Sequence, residues 1–119
     1  VPITTFGGLM ASVTPAHVAL AQRTGSVIAP FECHPLPDGR YRMIQHAPIE
    51  CPPEADPAEL AQKCWDALEP GIHANPECWL WPYKHWRYKP RENHERYPAY
   101  ANFLVRFDEL LASHGHAGA

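Results

Sequence analysis

The sequence contains no long hydrophobic run and no closely spaced pair of cysteines. No stretch of about 18 consecutive apolar residues is present, so we expect no membrane-spanning helix. Without a Cys-x-x-Cys spacing, we expect reduced thiols in a cytosolic setting. A zinc site using Cys33, His34 and a distant pair of ligands is the alternative to cysteines packed as small hydrophobic residues. The four cysteines are Cys33, Cys51, Cys64 and Cys78.

Positive charge is also scarce over the chain as a whole. The formal net charge is -3 at pH 7, and charged residues make up 19% of the sequence. Domains that bind nucleic acid generally carry a basic excess, so we expect no nucleic-acid partner. The hydrophobic fraction of 45% predicts that the 119 residues fold as one domain. Apart from the alternative zinc site at Cys33 and His34, we expect no cofactor and no bound metal.

Proline, in contrast, is abundant. Fourteen prolines are well over twice the usual share of about 5%, which predicts rigid, irregular connections. Residues 1–6 read as a strand that ends at Gly7-Gly8. A helix capped by Thr14 and stopped by Gly25 follows, and residues 27–33 read as a buried strand. This order predicts parallel strands joined by a right-handed crossover, in an α/β sheet with both faces covered.

The remaining segments predict a hairpin and two more helices. A turn at 36–40 leads into a strand at 40–46 near the sheet edge. Asp56 caps a helix with an apolar stripe, which Pro70-Gly71 should kink or interrupt. A short helix starts at Asn75-Pro76 and stops at Pro82. We divide the chain into an α/β part, 1–96, and a C-terminal amphipathic helix with a frayed tail, 97–119. The domain itself is expected to cover the apolar face of that last helix.

The most informative segment combines indole rings with basic side chains. Residues 75–87 contain Trp79, Trp81 and Trp86, interleaved with Lys84 and Arg87. Indoles favour burial while the charges beside them favour water, and a surface between water and lipid satisfies both. The alternative is a solvated basic turn that its tryptophans anchor to the core.

Two ordered blocks of this sequence resemble bacterial lipid A biosynthesis acyltransferases of the lauroyl or myristoyl transferase type. Residues 72–87 resemble the signature near the C-terminus of that family. The first block lies closer to the start of the chain, and its elements are Phe6-Gly7, Thr14-Pro15, Ala21-Gln22-Arg23-Thr24-Gly25, Val27-Ile28-Ala29-Pro30 and Asp38-Gly39-Arg40-Tyr41.

The resemblance implies a fold and an activity. The fold would be the C-terminal fragment of a glycerolphosphate-acyltransferase-like sheet flanked by helices. The activity would move a fatty acyl group from an acyl carrier protein thioester to a hydroxyl of a lipid A precursor or similar glycolipid. It would take place at the cytoplasmic face of the bacterial inner membrane.

The residues that such a family uses for proton transfer are missing from the sequence. Its members depend on a His-x-x-x-x-Asp/Glu pair, in which the carboxylate orients an imidazole base. None of the eight histidines is followed five places later by an acid. We therefore expect this chain to be part of a larger enzyme whose N-terminal part carries the pair, and we expect the isolated chain to be inactive.

The candidate site residues are accordingly for binding, and none is predicted to be catalytic. Phe6 and Gly7 would shape an acyl-chain pocket, and Pro30 would lie at a strand exit close to it. The alternative for Pro30 is a proline on an edge strand. The aromatic and basic segment would contact the lipid acceptor, the acyl carrier protein or an anionic membrane surface. A non-catalytic membrane- or partner-binding module is the alternative. The full set is Phe6, Gly7, Pro30, Glu77, Trp79, Trp81, Lys84, Trp86 and Arg87.

Overall fold

The computed structural model describes residues 1–115, a mixed α/β arrangement of short strands and helices. Within these residues the strands form three separate two-stranded sheets. The elements in chain order are β1 (Pro2–Thr5), β2 (Leu9–Ser12), α1 (Ala16–Thr24), β3 (Phe31–Pro35), β4 (Tyr41–Gln45), α2 (Pro57–Ala74), a 3-10 helix (Pro76–Cys78), β5 (Tyr88–Lys89), β6 (Asn102–Phe103) and α3 (Val105–Ser113).

The chain forms two compact units. Unit 1 contains Val1–Thr14 and the described residues from Trp81 onward, and unit 2 is Pro15–Leu80. In unit 1, Met10 of β2 packs with Phe107 and Leu111 of α3 in a buried cluster. The hydroxyl of Tyr97 donates a hydrogen bond to the Met10 carbonyl at 2.8 Å. The protein itself thus covers Phe107 and Leu111, as predicted, whereas Phe103 and Leu104 of the predicted apolar face are exposed.

Unit 2 is built from α1, the β3–β4 hairpin and α2. Val18 of α1 is fully buried, and Leu60, Ala61 and Ile72 are buried along α2. The Gln22 side-chain amide donates to the carbonyls of Pro52 and Ala55, both at 2.9 Å. These bonds fix the proline-rich connector against α1, because its own backbone has few regular partners.

The sheet predicted from the sequence is wrong in its topology. Strand β1 pairs antiparallel with β2 through a turn at Phe6-Gly7-Gly8, and β3 pairs antiparallel with β4. Residues 27–33 are not a buried parallel strand: β3 begins only at Phe31, which is exposed. A continuous apolar run does not distinguish a buried strand from a connection, and the proline at 30 delays the start of the ladder.

The predicted turn and one helix cap agree with the structure. The turn at 36–40 closes the β3–β4 hairpin, with the Leu36 amide bonded to the Arg40 carbonyl at 2.7 Å. The Asp56 carboxylate accepts from the Ala58 amide at 3.0 Å and starts α2. The cap of α1 is Pro15 instead of Thr14. The helix stops at Gly25, as predicted, and the structure shows this glycine in the left-handed conformation.

Three predicted helix features differ from the structure: the interruption of α2, the start of α3 and the end of the short helix after α2. Helix α2 continues through Pro70 and Gly71 to Ala74. Burial of Ile72 in the following turn stabilises it by about 1.5–3 kcal/mol, which offsets a proline cost of about 3 kcal/mol. Apolar residues occur at helical spacing from Tyr97 onward, but α3 begins only at Val105. Pro98 disfavours helical backbone in the residue before it, and residues 102–103 pair with β5 as strand β6. The 3-10 helix begins at Pro76 but ends at Cys78, before Pro82. Of the tail predicted to fray, 116–119 lie outside the described residues.

Candidate functional site

Trp86 is a core residue of unit 1. Its side chain is 6% exposed, and its indole N–H donates to the Thr5 hydroxyl at 2.8 Å. Thr5 is 2% exposed, so this is a hydrogen bond between two buried groups. The Phe6 ring lies 5.5 Å from the Trp86 ring, centroid to centroid. Trp86 therefore holds the segment in place and is not available for contact with lipid, contrary to the interfacial position expected for it.

Phe6 occupies a strained turn beside Trp81. Its φ of 43° lies in the left-handed region, which a bulky side chain adopts only when the surroundings enforce it. The Gly8 amide bonds the Thr5 carbonyl at 3.0 Å, and the Arg96 guanidinium donates to the Phe6 carbonyl at 3.1 Å. Gly7 continues the turn at a φ of 71°. The Phe6 ring stacks on Trp81 at 5.9 Å, and Trp81 keeps 45% of its surface exposed.

Two of the predicted basic residues line one open cavity in unit 1. It has a volume of about 400 Å³, and its walls are Lys84, Arg87, Tyr88, Tyr100 and Asn102. The Lys84 ammonium lies 6.0 Å from the centre of the Tyr100 ring, and the Arg87 guanidinium lies 5.7 Å from the Tyr83 ring. Cations combined with phenol hydroxyls and an amide provide several hydrogen-bond donors, which suits a phosphate or carboxylate group.

The other three predicted site residues belong to unit 2. Pro30 is buried at the entrance of β3, where its carbonyl accepts from the His46 amide at 2.8 Å. The prediction that it lies at the exit of a strand is wrong. Glu77 is exposed in the first turn of the 3-10 helix. Trp79 is half-buried and packs edge-to-face on Trp65 at 5.9 Å.

A cluster of titratable side chains in unit 2 was not among the residues predicted from the sequence. The Glu32 carboxylate is bonded by the Nε2 atoms of His34, at 3.0 Å, and of His46, at 2.5 Å. Burial would raise the pKa of Glu32, but the bonds and charge interactions with His46 and His34 outweigh it and hold that pKa below its ordinary value. Glu32 is therefore ionised at neutral pH and serves only as an acceptor.

The alternation of β3 and β4 could have indicated this cluster. Glu32 and His34 are two residues apart in one strand and so lie on the same face. Ile44 is the cross-strand partner of Glu32, which makes His46 its diagonal neighbour. A search for a histidine and an acid at one fixed spacing misses such a group, since two of its members meet across a hairpin.

The cluster lies at a cavity of about 240 Å³ within unit 2. Glu32 and His34 line it together with mainly apolar residues of α2 and of the segment after it. The Glu32 carboxylate is in close contact with Gly71 of α2, where a side-chain Cβ would collide with it. The remaining lining residues are Phe31, Cys33, Leu68, Gly71, Ile72, Cys78 and Trp79.

Neither a metal centre nor a membrane span is found in the described part of the chain. Within residues 1–115, no group of three or more histidine, cysteine or acidic side chains is arranged to hold a metal ion. Cys33 and His34 are therefore not part of such a group. None of the helices in the same range combines the length with the apolar character needed to cross a bilayer.

Comparison with protein-family models finds a match. The family model described as bacterial lipid A biosynthesis acyltransferase matches residues 4–88, more than two thirds of the chain. Nothing matches among curated proteins, and nothing matches among solved structures. The matched segment contains all nine predicted binding residues, including Lys84 and Arg87 of the open cavity.

Proposed function

The chain belongs to the bacterial lipid A biosynthesis acyltransferase family, and from this premise we propose that it takes part in moving a fatty acyl group from an acyl carrier protein thioester to a hydroxyl of a lipid A precursor. In that reaction the hydroxyl oxygen attacks the thioester carbonyl, its proton passes to a base, and the carrier thiol leaves. The proposed place of the reaction is the cytoplasmic face of the inner membrane.

The proposed role of this chain is to bind and position the acceptor. The single observation that carries this role is the open cavity lined by Lys84, Arg87, Tyr88, Tyr100 and Asn102. Lipid A precursors are phosphorylated glycolipids, and a phosphate accepts charge-assisted hydrogen bonds from a guanidinium, an ammonium and phenol hydroxyls. Phe6 and the exposed face of Trp81 lie in the same unit and would contact acyl chains of the acceptor.

Binding of a lipid A precursor to the native chain tests this role. We expect it to bind about tenfold more tightly than the same lipid after its phosphates are removed, and Lys84→Ala with Arg87→Ala to abolish the difference. Arg106→Ala is the matched control, since it removes one exposed cation from α3 that does not line the cavity. Equal affinity for the two lipids would contradict the proposal.

The base that accepts the proton is proposed to lie outside this chain. The sequence has no His-x-x-x-x-Asp/Glu pair, so a missing N-terminal part of the enzyme would supply it and complete a glycerolphosphate-acyltransferase-like sheet. We expect the purified chain, mixed with acyl-acyl carrier protein and a lipid A precursor, to give no acylated product by mass spectrometry. Product formation above the rate without protein would overturn this part.

A second candidate function is a membrane-docking module without catalysis. It is favoured by the exposure of Trp81 at 45% and Tyr83 at 52% beside two basic side chains. Aromatic rings settle at the headgroup level, and each nearby cation adds about 1 kcal/mol at an anionic surface. Vesicle sedimentation tests this: anionic vesicles should retain the native chain and lose the Trp81→Ala, Tyr83→Ala double variant. If the vesicles retain both proteins equally, Trp81 and Tyr83 do not contribute to membrane binding.

A further inference from the structure

Strand β4 is exposed on both of its faces. All of its residues are exposed, and on one face Tyr41 and Met43 keep 69% and 66% of their surface accessible. Ile44, on the opposite face, is 40% exposed. Within residues 1–115, β4 pairs with β3 alone, so its other edge has no strand beside it. An exposed apolar edge of this kind is a template for pairing with another strand.

The ladder of the β3–β4 hairpin shows which backbone groups of β4 are free. The His46 amide donates to the Pro30 carbonyl at one end of the hairpin. At the other end, the Leu36 amide donates to the Arg40 carbonyl. In an antiparallel pair, residues that exchange such bonds alternate with residues whose N–H and C=O groups point away from the partner strand. The β4 residues that point outward are Tyr41, Met43 and Gln45.

The two edges of this hairpin differ in their capacity to pair. The outward residues of β3 end at Pro35, which has no N–H, and a proline on an edge strand opposes further pairing. On β4, each outward residue has both an N–H and a C=O group, and none carries a charge. The edge of β4 therefore lacks the proline or charged side chain that protects an exposed strand.

The residue order of β4 is self-complementary about Met43. When two copies run antiparallel around a two-fold axis at Met43, Tyr41 of each copy faces Gln45 of the other. These outward pairs exchange both of their hydrogen bonds, so every free N–H and C=O group of the edge has a partner. In the same register Arg42 lies opposite Ile44 of the second copy. Its aliphatic stem then covers an exposed apolar side chain, and no charge faces a like charge.

We propose that the β4 edge is the interface of a symmetric dimer, in which β4 of one copy pairs antiparallel with β4 of a second copy. The product is a four-stranded sheet with Met43 at its centre. An interface made by one pair of short strands belongs at the low end of interface sizes, so the dimer forms and dissociates with concentration. The contact lies within unit 2, and it depends neither on the proposed acyl transfer nor on the basic cavity of unit 1.

Analytical ultracentrifugation and amide hydrogen exchange of the native chain test this interface. A reducing agent is included, because Cys33 and Cys78 are exposed free thiols that could link two copies by a disulfide. We expect the mean mass to rise from monomer toward dimer between about 10 μM and about 1 mM. Over the same range, hydrogen exchange should slow at the outward amides, since these become hydrogen-bonded only in the dimer. They are the amides of Tyr41, Met43 and Gln45.

Two matched variants separate the edge of the hairpin from its exposed face. Met43→Lys places a charge opposite itself at the two-fold axis and should weaken the dimer at least about tenfold. Phe31→Lys places the same charge on the same face but in β3, away from the paired edges, and should weaken it less than about twofold.

Three results would each overturn the proposal. The first is a native chain that stays monomeric at about 1 mM, as it would if the edge needed a strand from a different protein. The second is an equal loss of dimer in the two variants, which would place the contact on the face of the sheet. The third is slow exchange of the outward amides already in the monomer. The measurements on the native chain decide the matter even where a variant fails to fold.

Discussion

Trp81 and Trp86 lie in one aromatic segment, yet they have opposite environments. Trp81 is 45% exposed, while Trp86 is 6% exposed and bonds a buried hydroxyl. An indole that is buried needs a partner for its N–H, and Thr5 provides one. The same residue type thus anchors the segment at one position and offers a contact surface at the other.

The Thr5 hydroxyl is predicted to be essential for the packing of Trp86. Thr5→Val keeps the shape but leaves the Trp86 N–H buried without its acceptor, so we expect the free energy of unfolding to fall by about 1–3 kcal/mol. Urea unfolding followed by tryptophan fluorescence measures the change. Thr4→Val is the matched control: that hydroxyl donates to the Met10 thioether at 3.2 Å, a weak acceptor, and its loss should cost less. An equal loss in the two variants would refute the assignment.

Glu32 gives the stability of unit 2 a defined dependence on pH. Its pKa is lower in the folded protein than the ordinary value of 4.5. The folded state therefore binds fewer protons here than the unfolded state, and the contribution is complete above about pH 4.5. As the pH falls through the folded pKa, this contribution is lost.

Thermal unfolding between pH 7 and pH 3 measures this effect. We expect the native chain to lose more stability below pH 4.5 than Glu32→Gln does, because the variant has no proton to take up at this position. Glu109→Gln changes an exposed carboxyl of α3 and serves as the control, with a pH profile close to that of the native chain. Parallel curves for native protein and Glu32→Gln would contradict the prediction.

At the scale of elements, the β3–β4 hairpin and α2 meet at a glycine. The Glu32 carboxylate is in contact with Gly71, and the bonds from His34 and His46 hold it there. In an exposed helix, replacing glycine by alanine would be favourable by about 1 kcal/mol. Here the added methyl group would push the carboxylate away from both imidazoles.

We therefore predict that Gly71→Ala destabilises the protein by roughly 1–3 kcal/mol, the usual range for overpacking. The sign should reverse in a Glu32→Ala background, where the colliding atoms are gone and only the helix propensity of alanine remains. Chemical denaturation of the four proteins in this double-mutant cycle measures both effects. A stabilising Gly71→Ala in the native background would rule out the close contact.

At the scale of the whole molecule, the charge is unevenly distributed. The chain has a net charge of -3, but Lys84 and Arg87 line one cavity of unit 1. A net negative protein is repelled by an anionic surface, so any attraction must come from this local patch. Such an attraction is short in range, since the Debye length is about 8 Å at physiological ionic strength.

Binding to anionic vesicles is accordingly predicted to depend strongly on salt. Raising NaCl from about 0.05 M to about 0.5 M should release most of the bound chain, because the screening length falls several-fold. Sedimentation at each salt concentration provides the measurement, with vesicles of neutral lipid for comparison. Salt-independent retention would indicate that apolar insertion dominates and that the cations are unimportant.

The sequence by itself determined the local features. The Asp38-Gly39 turn, the Asp56 cap and the helix stop at Gly25 follow from the sequence, because each depends on a few neighbouring residues. The family was also recognisable, since its signature residues are consecutive along the chain. These signals involve residues that are close in sequence, so they can be recognised without knowing the tertiary contacts.

Only the tertiary structure decided which strands pair and which side chains meet. Trp86 bonds a threonine 81 positions away, and Glu32 bonds a histidine 14 positions away. The apolar run at 27–33 predicts a parallel strand, although the chain turns back and its strands pair antiparallel with their neighbours. Burial of Ile72 likewise kept α2 helical beyond a proline. Such outcomes depend on the sum of distant contacts, and that sum is fixed only when the whole chain has packed.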